Sequence, residues 1–109
     1  MATSQSVTKE DKKVVKELIK NDGIKVFYFP EYNCTVAIRS PIPRAKFLHV
    51  SIALAGKSEP RFSKSLGKYC AVFNMNERRY FPFAFNIDNV YPMGVYAQRI
   101  AQLFGYSSD

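Results

Sequence analysis

Residues 24–54 read IKVFYFPEYNCTVAIRSPIPRAKFLHVSIAL, and this stretch decides the fold. Ile24 to Phe29 is β-branched and aromatic apart from Lys25 and stops at Pro30, the pattern of a strand. Pro30-Glu31-Tyr32-Asn33 is a four-residue turn, and Cys34 to Arg39 is the returning strand of a hairpin. Ser40-Pro41-Ile42-Pro43 interrupts pairing, because each proline lacks an amide donor and restricts the residue before it. Lys46 to Leu54 is a third strand, with Leu48, Val50, Ile52 and Leu54 on one face and Phe47, His49, Ser51 and Ala53 on the other. The economical arrangement is a meander of three antiparallel strands.

Helical patterns flank this meander. Thr8 followed three residues later by Asp11 forms a capping box with Asp in place of Glu, and Val14, Val15, Leu18 and Ile19 make one apolar stripe that Gly23 ends. Residues 1–6 are small, polar and without period, so a disordered start is expected. Beyond the polar loop Gly56 to Pro60, the residues Phe62, Leu66, Tyr69, Cys70 and Phe73 fall at helical spacing, with Ser63 placed to cap. Gly67 opposes that helix at a cost near 1 kcal/mol. Residues 63–77 are therefore read as helix, with a β-hairpin partner for residues 80–85 as the alternative. Tyr80 to Phe85 alternates Phe81, Phe83 and Phe85 on one face, and Pro82 confines it to a sheet edge. From Pro92, a last helix sets Val95, Tyr96, Arg99, Ile100, Leu103 and Phe104 at helical spacing up to Gly105. The expected fold is a single α+β domain over residues 1–109 with a mainly antiparallel sheet, helices packed on one face, and element order α-β-β-β-α-β-α.

A composition of 47% hydrophobic and 15% aromatic residues fits a packed domain and excludes a disordered tail protein. No apolar run approaches the ~20 residues of a membrane span, and the N-terminus carries no apolar export segment. A cytoplasmic location follows as an expectation. In that compartment Cys34 and Cys70 read as small buried hydrophobes, and the sequon Asn33-Cys34-Thr35 has no enzyme to meet it.

The net charge of +7 resides entirely in residues 24–79, which hold ten basic and three acidic side chains. The first helix instead offsets Lys9, Lys12, Lys13, Lys16 and Lys20 with Glu10, Asp11, Glu17 and Asp22, so it reads as a solvated face. Candidate phosphate contacts in the basic segment are Arg39, Arg44, Lys46, Lys57, Arg61, Lys64, Arg78 and Arg79, with Tyr80 and Phe81 as candidate stacking residues. Cations release counterions from a phosphate backbone, and aromatic faces stack on unpaired bases. The competing reading is a sheet protein that keeps Lys and Arg on its edges and turns to prevent edge-to-edge pairing, with an arginine after a helix complementing its C-terminus.

Catalysis finds little support. His49 is the only histidine and lies inside a strand, and a Cys-His pair with Cys34 or Cys70 has no local signature. Gly56-Lys57-Ser58 lacks the first glycine of a phosphate loop, since position 51 is Ser51. Two cysteines and one histidine have no zinc-site spacing, and no clustered carboxylates suit magnesium. A non-enzymatic protein without cofactor or metal is expected, contacting nucleic acid. The alternative is an inhibitor or adaptor that docks an aromatic and basic surface on another protein. The aromatic crowd of Tyr80, Phe81, Phe83, Phe85, Tyr91, Tyr96, Phe104 and Tyr106 also suits a symmetric homodimer, unless the core absorbs the rings itself.

Phe47 to Ala53 followed by Arg61-Phe62-Ser63-Lys64-Ser65-Leu66-Gly67-Lys68 resembles a strand, loop and F-S-K-x-x-G-[KR] helix start of small bacteriophage accessory proteins. The resemblance covers a short part of the chain. It implies a viral protein acting in the cytoplasm of a bacterial host, in host takeover or counter-defence, and it transfers no functional residue.

Overall fold

Thr8 closes the first helix from both sides. Its hydroxyl accepts from the Asp11 amide at 3.1 Å, and its own amide donates to the Asp11 carboxylate at 3.3 Å. Two of the amides that a helix start leaves without partners are thereby satisfied. The computed structural model describes residues 8–40, 46–55, 63–84 and 91–106. The expectations for residues 1–6, the prolines 41 and 43, the loop 56–60 and Phe85 lie outside them. Helix α1 spans Lys9–Asp22 and ends at Gly23, whose φ of 64° is the left-handed conformation that suits glycine.

Strand β1 (Lys25–Phe29) leads through a short 3-10 turn at Pro30–Tyr32 into β2 (Cys34–Arg39), with Asn33 left-handed at the turn exit. Strand β3 (Phe47–Leu54), helix α2 (Lys64–Asn76), edge strand β4 (Phe81–Ala84) and helix α3 (Met93–Phe104) complete the order α-β-β-β-α-β-α. The fold is α+β, with a four-stranded antiparallel sheet ordered β1-β2-β3-β4. Residues 63–77 thus resolve to helix: the Ser63 hydroxyl accepts from the Leu66 amide at 3.2 Å. Pro82 sits opposite His49 on β4, at the sheet edge that its missing amide requires.

The helices do not share one face, contrary to the expectation from sequence. Cys34, Val36 and Ile38 of β2 and Leu48 and Val50 of β3 pack with Tyr96, Ala97, Ile100 and Ala101 of α3. The opposite side chain, Ala37, packs with Val15 of α1 and with Ala71, Val72 and Met75 of α2. Strand β2 is apolar at four of its six positions, on both faces, so both faces need cover, and Cys34 through Ile38 are all buried. The contact stripe of α3 is also rotated from the one its large residues suggested. Ala97 and Ala101 face the sheet, while Leu103 is 74% exposed. Small residues let a helix axis approach a sheet closely, and the cost is an exposed leucine whose burial would be worth about 1.5–3 kcal/mol.

Rings at β4 are taken up by α3, with Phe81 against Phe104 at 5.4 Å and Phe83 against Tyr96 at 5.8 Å between centroids. No helix among the described residues is long and apolar enough to cross a membrane.

Candidate functional site

Antiparallel pairing places Arg39, the last residue of β2, directly opposite His49 of β3. Both side chains project to the α1–α2 side of the sheet, beyond the C-terminal end of α2. The Arg39 Nε–H donates to His49 Nδ1 at 3.3 Å, and an Nη1–H donates to the Asp22 carboxylate at 3.4 Å. Tyr80 leaves the end of α2 and stacks on the imidazole, with centroids 4.1 Å apart and planes 26° apart. The Arg39 guanidinium lies 5.2 Å from the same Tyr80 centroid. Because a hydrogen bond joins the histidine to the arginine, both must lie on one side of the tyrosine ring. Phe47 extends the aromatic surface at 5.7 Å from His49 and is 37% exposed.

The electrostatics hold His49 neutral. Its pKa lies below the ordinary value, first because burial disfavours the imidazolium and second because the Arg39 charge repels it. A neutral imidazole leaves Nδ1 free to accept from Arg39, so the hydrogen bond and the charge state reinforce each other. Arg39 uses two of its five N–H donors in these contacts, which leaves donors for an anion.

The backbone that delivers Tyr80 is unusual. The amides of Arg78 and Arg79 donate to the carbonyls of Met75 (3.2 Å) and Asn74 (2.7 Å), the paired bonds that close a helix C-terminus. Arg78 adopts φ of 63°, where glycine is the unstrained choice. Both arginines are exposed, as is Lys46 immediately before Phe47.

Of the residues singled out from sequence, Arg39, Lys46, Arg78, Arg79 and Tyr80 therefore gather around one end of the sheet. Lys64 does not join them. It opens α2, with its ammonium over the Tyr28 ring at 5.5 Å, and the 13 residues of that helix span roughly 20 Å. Phe81 points to the opposite face and packs under α3. Arg44, Lys57 and Arg61 lie outside the described residues. The sequence places His49 inside a strand; its contact with the candidate residue Arg39 follows only from the cross-strand register.

A cysteine–histidine pair is not assembled. Cys34 is fully buried on the α3 face, and burial pushes its thiol pKa up to about 11. Cys70 lines a cavity of about 340 Å³ with Thr35, Leu54 and Ser63, at the other end of β3 from His49. Cys34 and Cys70 are not joined to each other. Among the described residues no three metal-ligating side chains converge. Comparison with protein-family models, with characterised proteins and with solved structures finds no match to this chain.

Proposed function

We propose that this protein is a non-enzymatic nucleic-acid-binding protein that holds an unpaired strand at the Arg39–His49–Tyr80 cluster. The observation that carries the reading is the cluster itself: an arginine and two stacked rings, flanked in the chain by the exposed cations Arg78, Arg79 and Lys46. Stacking serves any base through its π-face, and the surrounding cations meet the backbone phosphates. The left-handed Arg78 supports the reading, since a glycine there would relieve strain but remove a charge. The resemblance to bacteriophage accessory proteins would give such binding a role in host takeover or counter-defence.

The test is a fluorescence anisotropy titration against single- and double-stranded oligonucleotides over a salt series. Single strands should bind more tightly, with affinity falling as salt rises. Tyr80→Ala should lose about 1–3 kcal/mol of binding, the range for one base stacked on one ring. No binding at low salt, or binding without a salt slope, overturns the proposal. A second reading, docking on another protein, draws on the partly exposed apolar residues of α3 and the segment before it, Leu103, Phe104 and Tyr91. Retention of a purified partner after nuclease treatment would separate the two.

A further inference from the structure

Helices α1 and α2 run in the same direction. Lys12 and Lys16 of α1 share a groove with Ser65, Lys68 and Tyr69 of α2, all from the N-terminal part of that helix, whereas Asp22 and Tyr80, at the opposite ends, both meet Arg39. Val15 forms the floor of this groove, whose volume is about 460 Å³. Three lysines from two helices therefore line one concavity. No carboxylate lines it among the described residues. The ion pair found among those residues is Arg39–Asp22, at the other end of the helix pair.

Two further features deepen the positive potential. The first turn of α2 holds no acidic residue to offset the partial positive charge of its N-terminus, and Ser65 lies in that turn. Lys12 and Lys16 stand four residues apart on α1, the spacing at which like charges on a helix face repel. The like charges raise the free energy of the unliganded protein, and a multiply charged anion would offset them.

We propose that the α1–α2 groove binds the phosphoryl chain of a triphosphate. Lys12, Lys16 and Lys68 supply three positive charges, which matches a chain of phosphoryl groups better than a single one. Lysine is a point-charge donor that follows a flexible phosphate chain without imposing the planar fork of arginine. The Ser65 hydroxyl adds a neutral donor. Tyr69, whose ring packs on Phe73 at 4.5 Å, forms one wall.

The test uses the full chain and isothermal titration with sodium triphosphate at low ionic strength, with sodium sulfate as the control for non-specific anion binding. Saturable 1:1 binding is expected, weakened about tenfold by each of Lys12→Gln, Lys16→Gln and Lys68→Gln. The triple variant should lose it while keeping the parent's circular dichroism spectrum. Its thermal midpoint without anion should match or exceed the parent's, because repulsion is removed. Tyr80→Ala should leave triphosphate affinity unchanged, so the groove and the strand-binding cluster can fail independently. A nucleoside triphosphate and a 5′-triphosphorylated oligoribonucleotide distinguish the source of the phosphoryl chain. Absence of saturable binding, equal binding of sulfate, or affinity indifferent to the triple variant overturns the proposal.

Discussion

Gly67 sits mid-helix in α2, where replacement by alanine ordinarily stabilises a helix by about 1 kcal/mol. Here the expected sign is reversed. A Cβ on Gly67 would run into the Thr35 hydroxyl and lie 3.0 Å from the Thr35 Cβ. Thr35 is fully buried in the central strand β2, so the clash can be relieved only by turning a stiff β-branched side chain or by lifting α2 off the sheet. Overpacking of this kind costs about 1–3 kcal/mol. With the upper part of that range set against the propensity gain, Gly67→Ala should lose about 1–2 kcal/mol, lowering the thermal midpoint by roughly 4–8 °C. The Thr35 hydroxyl is buried without a hydrogen-bond partner, so Thr35→Ala loses a methyl contact but removes an unpaired polar group and should be close to neutral. In that background only the 3.0 Å contact remains, and Gly67→Ala should become neutral or stabilising. Urea denaturation of the four proteins in the cycle measures the coupling, expected at about 1–3 kcal/mol. A Gly67→Ala protein as stable as its parent, or a cycle that is simply additive, would refute the reasoning.

Arg78→Gly removes left-handed strain at the end of α2 and should stabilise the fold by about 1 kcal/mol while weakening oligonucleotide binding; an unchanged or lower midpoint contradicts the strain. Gly105→Ala would place a Cβ 2.5 Å from the Tyr32 carbonyl oxygen and 2.6 Å from that of Ala101, and backbone at both contacts has no rotamer to yield, so a loss of about 2–3 kcal/mol is expected in urea denaturation. For His49 the folded pKa lies below the ordinary 6.5, so on acidification the unfolded chain takes up its proton first. The His49 contribution is full above about pH 6.5 and lost below it, and subtracting the midpoint-versus-pH curve of His49→Gln from that of the parent should isolate this fall; identical curves would dismiss it.

Elements whose signal is local were legible in the chain. The Thr8–Asp11 box, the turn at Pro30, the edge position forced by Pro82 and the Ser63 cap each depend on residues within a few positions of one another. What escaped depends on distances across the fold. Gly67 looked like a defect in a helix because the Thr35 side chain it makes room for belongs to another strand. Helical spacing marks the large residues of α3, of which Tyr96 and Ile100 are buried, but gives no sign that Ala97 and Ala101 share that face. At the candidate site, Arg39 and Tyr80 were legible as residue types, but their union through His49 required the β2–β3 register. Lys12 and Lys16 were set aside because α1, taken alone, balances its charges; Lys68 meets them from a second helix.

The parallel course of α1 and α2 gives the two ends of the helix layer different electrostatic characters. Asp22 and the C-terminal ends of both helices carry negative or partially negative charge, so Arg39, Arg78 and Arg79 there are partly compensated within the protein. Compensation favours stacking and hydrogen bonding over bare attraction as the basis of recognition at that end, which suits a ligand that brings an aromatic face along with its phosphate. At the opposite end, Lys68 meets Lys12 and Lys16 across a groove that no carboxylate lines among the described residues, beside an α2 start with no acid in its first turn; Glu10 and Asp11 stand in the first turn of α1, outside the groove. A compensated arginine contributes to stability whether or not a ligand is present. Lysines that no carboxylate faces across their groove gain most when an anion arrives. Charge counted along the chain merges these two cases, because it records how many cations there are and not what faces each of them.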